Sequence, residues 1–511
     1  MKIPIILRKI IKYMPIFVAT MITVVTIKNL VSNESWLGYD KGTQSLGLFF
    51  GLLLLTVLSW FLSSIFSKIE IRFYLLGWIV VFIYQTYMIF QLHSEVGWDA
   101  GMVINAAFGN MPEEAGAYLS IYPNNLFLVY IYRCIFRIFS VSFENRFLAG
   151  ALLNLVFMNV TLALLYSLSK RFLGERGRLF TLFYFVLLIG SSPWIIIPYS
   201  DLASMPFVTG IVLFYFKIIE NSKEQFPGYL TLLISLGLGI LLFTGFKIKP
   251  TVVIAFIAVC IIYALFHYHK KSVLVILAGG FFTFVLFAFL WNCFAKYQKD
   301  FIIDENRSVS YSHYLMLGLN DNYGCYTEED IAITLSAETK KEKQEKNFEV
   351  IRERLQNMGI AGLAVRQWKK LCRIHSEGNF FFGGEGGMNF LNFDLSRQSF
   401  LRNVFYINGK YYACYKYFVQ GIWLALCLFI GLNVFEVRKG GKEVKAEYAM
   451  IFLIILGIIL FNLLFEARSR YLISFLPFYV MAAARGAEMA GIWISQKHLH
   501  SSLCYDKLFT L

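Results

Sequence analysis

The chain has 511 residues, 58% of them hydrophobic and 16% charged, with a formal net charge of +14. A soluble protein of this length would carry about a quarter charged residues, and apolar runs of about 20 residues, enough to cross a hydrocarbon core, recur along almost the whole chain. The basic residues lie in short segments between those runs rather than in blocks interleaved with aromatics. This excludes a nucleic-acid groove, and the eight scattered cysteines, with no C-x-x-C pair, exclude a zinc framework.

The sequence therefore predicts an all-α polytopic membrane protein of about twelve transmembrane helices, with a mixed, mainly helical domain on the extracytoplasmic side. Residues 1–91 read as N-terminal transmembrane helices, with spans at 13–31, 44–66 and 73–91. Lys2, Arg8, Lys9 and Lys12 precede the first span, and no small-residue cleavage site follows it, so it reads as a retained helix with a cytoplasmic N-terminus.

Residues 92–146 form a first large outer loop with interfacial helices. From Leu92 to Tyr132 this loop has Glu95, Asp99, Glu113 and Glu114 but no Lys or Arg. Arg133 and Arg137 lie one helical turn apart in the apolar segment Asn124–Val141. That segment reads as an amphipathic helix lying in the outer interface, with a simple crossing as the alternative. The choice sets the sidedness of everything after it. If the segment stays outside, Arg72 with Lys68, Lys170 to Arg178, Lys217 with Lys223, His269-Lys270-Lys271, and Arg438 to Lys445 all fall on the cytoplasmic side, as basic loops do.

Residues 147–294 are the transmembrane core, with spans at 147–168, 178–198, 202–220, 229–246, 249–267 and 272–294. Residues 295–412 are polar and form the extracytoplasmic domain. Within it, Thr327-Glu328-Glu329-Asp330 resembles a capping box opening a charged helix towards Arg354. Gly362–Ile374 carries Leu363, Trp368 and Leu371 among basic residues, a surface-lying pattern. The Gly-rich 382–387 lacks the strand–helix context of a nucleotide loop. Cys325 and Cys372 share this domain, as small buried residues or as a pair. Residues 413–494 hold the C-terminal spans 413–433, 447–466 and 470–491, and 495–511 a cytoplasmic tail.

Polar groups gather at the outer ends of the spans, where charge is costly and usually functional. They are Glu95 and Asp99 after the third span, Asp201 after Tyr199-Ser200, Lys247 and Lys249 in a tight turn, and Glu466, Arg468 and Arg470 between the last two spans. His313 joins them from the outer domain. Lys247 and Lys249 break the positive-inside pattern and call for an anion, either a phospholipid headgroup or a substrate phosphate. Arg468 and Arg470 could serve likewise. Asp201 reads as a catalytic carboxylate or a helix cap, Glu466 as a partner of Arg468 or Arg470, and His313 as a hydrogen-bonding surface residue or a base. Asp99, beside Trp98 at the membrane surface, is the candidate general base, its pKa raised by desolvation. A solvated loop carboxylate is the alternative.

These motifs resemble the GT-C superfamily of integral-membrane glycosyltransferases, which includes protein O-mannosyltransferases and aminoarabinose transferases. Gly97-Trp98-Asp99 is similar to the family's acidic site in the first outer loop, and Tyr122-Pro123-Asn124-Asn125 with the Arg133/Arg137 helix to the segment that follows it. Tyr199-Ser200-Asp201 is similar to a second acidic site. Lys249-Pro250 and Arg468-Ser469-Arg470-Tyr471 are similar to basic elements beside later helices. The His313–Gly318 segment looks like that of Gram-positive members. Two extra spans precede the acidic loop, and it has a single Asp where many relatives show a pair, with Glu95 four residues earlier.

The resemblance implies a membrane glycosyltransferase, inverting, at the outer face of the plasma membrane. It would move a sugar from a polyprenyl-phosphate donor to an envelope glycan, lipid or protein. Asp99 and Asp201 would be catalytic, while Lys247, Lys249, Arg468 and Arg470 would meet the donor phosphate. A divalent cation between Asp99 and Asp201 is permitted but not required. The rival reading is a transporter or flippase of a lipid-linked precursor, which would place repeats and midplane polar residues in the spans.

Overall fold

The computed structural model describes residues 5–35, 37–65, 71–109, 111–221, 228–383, 390–391, 399–435 and 444–489. Lys2, Lys68, Lys223, Arg438 to Lys442, Gly384–Gly387, Cys504 and the 495–511 tail lie outside the described residues.

Among the described residues, ten helices are long and apolar enough to cross a membrane. The chain opens with α1 (Ile5–Val31), α2 (Lys41–Ile65) and α3 (Ile71–Leu92). Then come β1 (Glu95–Val96), α4 (Trp98–Phe108), α5 (Pro112–Ile121) and α6 (Leu126–Ile138). The bundle continues through α7 (Arg146–Phe185), the short α8 (Ser200–Ala203), α9 (Met205–Asn221), α10 (Gly228–Ile248), α11 (Val253–Ile262) and α12 (Lys271–Tyr297). Helices α13 (Tyr311–Leu317), α14 (Glu328–Leu335) and α15 (Lys340–Ile374) follow. The chain then runs through β2 (Phe390–Leu391), α16 (Phe400–Phe405), α17 (Tyr412–Gly431) and α18 (Ala446–Leu464), ending in a 3₁₀ turn at Ser469–Phe475 and a helix over 476–489.

The expected count of twelve differs from ten at two places. The spans expected at 147–168 and 178–198 fall in one 48-residue stretch, Phe143–Gly190. At about 1.5 Å per residue that is roughly 70 Å, far more than a hydrocarbon core. It is broken at Gly174, whose φ of 79° is outside helical space. The span expected at 470–491 starts in the 3₁₀ turn, and the described chain stops at residue 489.

Helix α6 has 13 residues, about 20 Å, and is too short to cross. Its Tyr130 and Arg133 are bound to Asp300, at 2.8 and 3.1 Å.

Burial orders the bundle. For α9, 83% of the apolar window is inside the protein, whereas for α3 it is 17%; α9 is therefore central and α3 peripheral. Exposed side chains such as Leu76, Ile79, Val80 and Ile83 on α3, and Phe281, Phe282 and Phe289 on α12, form the outward apolar surface that lipid must cover. Helices α2 and α17 touch backbone to backbone: a Cβ on Gly421 would stand 2.0 Å from the Gly47 carbonyl oxygen, the small-residue contact that membrane helices use.

The single charged helix expected from Thr327 is two helices. Thr327 caps α14 through the Asp330 amide, but α14 ends at Leu335. A full capping box, Thr339 with Glu342, then opens α15, which bends at Gly359 (φ 59°). Cys325 and Cys372 are not joined in a disulfide. Cys325 Sγ donates to the Ala467 carbonyl at 3.4 Å, so the pairing does not form.

Candidate active site

Four segments meet where the spans end. Helix α3 gives way to β1 and α4. Before α8, Pro198-Tyr199 is extended. Helix α10 stops at Lys249-Pro250, and α18 runs into Phe465–Arg470.

The α10 break shows how sequence sets the site. A residue before proline is kept out of the α region, and Lys249 takes φ −153°, ψ 116°. It therefore leaves the helix, while Lys247 remains in its last turn. Lys249 Nζ reaches Asp201 Oδ1. Lys247 instead donates to Asn292 Oδ1 on α12 at 3.3 Å, away from the other basic groups.

Asp201 is the hub. Its second oxygen, Oδ2, accepts from Arg470 Nη1 at 2.9 Å. Asp201, Lys249 and Arg470 are each under a tenth exposed at the side chain. Asp201 does not cap the helix; the N-cap position of α8 is Tyr199, which makes no side-chain bond there. Ser474 Oγ donates to the Asp201 carbonyl at 3.1 Å and lies 2.8 Å from Ser204 Oγ, which fixes the backbone as well.

Arg470 joins this trio to the loop of Asp99. Its guanidinium lies 4.4 Å from the centre of the Trp98 ring and 5.6 Å from that of Tyr199. The two rings meet edge-on at 5.1 Å. Trp98 has φ 51°, a left-handed conformation that costs a bulky residue energy and is held by its surroundings. That bend starts α4 and sets Asp99 in its first turn.

The Asp99 carboxylate accepts from the Tyr118 hydroxyl at 2.9 Å and lies 3.4 Å from the Tyr199 hydroxyl. Asn125 Nδ2 donates to Tyr118 Oη at 2.5 Å. Burial raises the Asp99 pKa above the ordinary carboxylate value. Arg470 and the Tyr118 bond pull the other way without cancelling it.

Glu466 pairs with Arg468, whose Nε donates to Oε1 at 3.0 Å, and accepts from Tyr471 Oη at 2.7 Å. Around the site, Asp99, Asp201 and Glu466 thus oppose Lys249, Arg468 and Arg470, three charges against three.

The other expected residues lie elsewhere. Glu95 is paired with Arg146 at 2.5 Å. Arg133 is on Asp300 and Arg137 is exposed. His313 is buried, not at the surface, with Nδ1 2.8 Å from Thr334 Oγ1.

Sequence reasoning did not single out Trp98, Tyr118, Asn125 or Tyr199 as site residues, although three of them sit inside quoted motifs. It also missed Lys370. From α15 its buried ammonium donates to the carbonyls of Gly318, Leu463 and Phe465 at 2.8, 2.9 and 2.9 Å. It thereby holds the C-terminal end of α18 immediately before Glu466.

A divalent cation does not fit the donor set. Both Asp201 oxygens accept from cations and both Glu466 oxygens are engaged, so Asp99 is the one carboxylate of the three without a cationic hydrogen-bond donor. Among the described residues, no three His, Cys, Asp or Glu side chains come together.

This architecture defines a multi-pass α-helical integral membrane protein with a charge-paired polar site at its span ends. Residues 5–490 match the family model described as "Conserved hypothetical integral membrane protein", and the chain belongs to that family. No curated protein matches it.

Among solved structures, it is similar to the archaeal oligosaccharyltransferase AglB from Archaeoglobus fulgidus, solved with an inhibitory peptide and a dolichol-phosphate. Identity is 13% and the TM-score 0.42, over 84% of this chain and 51% of that one. The chain thus spans about half the length of that enzyme. It is also similar to ArnT from Cupriavidus metallidurans bound to undecaprenyl phosphate, at 11% identity and a TM-score of 0.34, over 82% and 79% of the two chains.

Proposed function

We propose that this protein is a GT-C-type glycosyltransferase that moves a sugar from a polyprenyl-phosphate carrier to an envelope acceptor at the outer membrane face. The observation that carries the reading is the placement of Asp99. Its carboxylate is held by tyrosine hydroxyls beside an arginine that also binds Asp201, which in turn binds Lys249.

In the proposed step, Asp99 takes the proton of an acceptor hydroxyl as its oxygen bonds to the anomeric carbon. The bond from that carbon to the phosphate oxygen breaks, and the electron pair leaves on the lipid phosphate. One displacement inverts the anomeric centre. Negative charge thus moves from Asp99 to the phosphate, which gains its second charge as a monoester. The Lys249–Asp201–Arg470 trio, two cations around one anion, has a net charge of +1 to receive it. Lys249 and Arg470 are the phosphate-facing pair in this reading. Arg468 is held by Glu466, and Lys247 faces Asn292.

The test is purified protein in lipid nanodiscs with synthetic polyprenyl-phosphate sugars and candidate acceptors, read as released polyprenyl phosphate. Asp99→Asn should lower turnover by about 10²–10⁴-fold. Equal turnover in the two proteins removes Asp99 as the base, and transfer without a lipid-linked donor removes the class.

A further inference from the structure

Beyond Gly359, α15 presents an apolar stripe that the described protein leaves partly exposed. Ile360 is 91% exposed, Val365 55% and Trp368 38%, with Ala361 and Ala364 exposed between them. Positions 361, 364, 365 and 368 follow the i, i+3, i+4, i+7 pattern of one helical face.

The opposite face is fastened down. Arg366 Nη1 donates to the Leu319 carbonyl at 2.5 Å and its Nη2 reaches Asp321. Arg373 on that face and Lys369, on the flank and still exposed, both lie over the Tyr323 ring, at 5.3 and 5.5 Å. The stripe is thus held outward.

Its level relative to the bilayer follows from what the end of the same helix touches. Asn29, in the last turn of α1, donates to the Cys372 carbonyl at 2.8 Å, and Asn33 donates to the Ser376 carbonyl at 2.9 Å. Lys370 holds the end of α18. Residues 370–376 therefore sit where two spans emerge. Trp368 is one helical turn earlier, about 6 Å along the axis, within the headgroup layer that flanks a hydrocarbon core. At those span ends Val31 is 56% and Leu464 58% exposed. Apolar side chains are thus exposed both on the stripe and at the two span ends that the same helix touches.

We infer that residues 360–369 form an interfacial lipid-binding helix, with Ile360, Val365 and Trp368 immersed at the acyl–headgroup boundary and Lys369 at the headgroups. Tryptophan and lysine are the side chains such a boundary favours. The assignment rests on the membrane embedding alone and holds whatever reaction the site performs. Because the same helix carries Lys370, the bilayer surface and the Glu466–Arg470 segment are attached to one rigid element.

The test uses the full chain in nanodiscs with lipids brominated either near the glycerol end or at the terminus of the acyl chain. The Trp368 signal is taken as wild type minus Trp368→Phe. Glycerol-end bromine should quench that component at least twofold more than terminal bromine. Quenching by aqueous iodide but by neither lipid overturns the inference.

If Trp368→Phe fails to fold, a nitroxide at Ala364→Cys replaces it, with exposed Cys134, Cys260 and Cys414 changed to Ser. Higher collision with oxygen than with a water-soluble nickel chelate supports immersion. The reverse order overturns it, as does exclusion of both reagents, which would mean a protein partner or a second copy.

Discussion

Asp201 and Arg470 are 269 residues apart in sequence and joined by a 2.9 Å bond. With Lys249 on the other Asp201 oxygen, the pair fixes the start of α8, the end of α10 and the turn after α18 to one another. Removing one member of a buried ion network costs more than the network itself contributes, because its partners are left charged and unpaired. Asp201→Asn should therefore lower the unfolding free energy by about 3–5 kcal/mol, seen as a fall in Tm in detergent. Adding Lys249→Met should restore part of the loss. A Tm that is unchanged in the single variant would mean that the trio is not buried in solution.

In the proposed reaction, with Asp99 as the proposed base, the pH dependence of turnover follows from that carboxylate. Burial raises its pKa, and Arg470 and Tyr118 oppose the rise. A general base works when deprotonated, so kcat/KM should climb with pH through that raised pKa. Tyr118→Phe deletes a bond that favours the charged form, and the climbing limb should move to higher pH. A limb that stays in place, or moves lower, would separate the titration from Asp99.

Lys370 gives a stability profile of its own. Burial pushes its pKa down to about 7 from 10.5. Below that window the amine is protonated in both states. Within it the unfolded chain keeps a proton that the folded chain has lost, so stability should rise with pH, by about 1.4 kcal/mol per unit. Lys370→Met should abolish that slope. It should also cost about 3 kcal/mol near neutral pH through the lost carbonyl contacts. Unfolding titrations of both proteins from pH 7 to pH 10 make the comparison, and parallel curves would refute it.

Gly421 tests the packing. With its Cβ position 2.0 Å from the Gly47 oxygen, Gly421→Val must push α17 off α2. The expected loss is about 1–3 kcal/mol or more, together with faster proteolysis in the segment between α1 and α2. Wild-type stability in this variant would mean that the two helices do not touch.

The apolar runs made the membrane helices legible, because length and hydropathy alone decide whether a segment can sit in lipid. Asp99, Asp201, Lys249 and Arg470 were legible as members of one group because each ends a span on the same expected side. Three matters were not. The separation of Lys247 from Lys249 depends on the backbone turn that Pro250 imposes. Lys370 acts through backbone carbonyls, which leave no trace in side-chain identity. His313 was expected at the surface but is buried, since its partner Thr334 arrives from α14, a contact that local pattern does not encode.

The short ladder between Glu95–Val96 and Phe390–Leu391 bears on biogenesis. A membrane protein enters the bilayer from its N-terminus as it is synthesised, so the loop of Asp99 leaves the insertion machinery long before residue 391 exists. Until then its β1 amides and carbonyls have only water or lipid headgroups to bind. Arg470, which stacks on Trp98, comes later still. A half-made chain therefore inserts before the proposed reaction centre is complete, and chains truncated before residue 391 should release no polyprenyl phosphate.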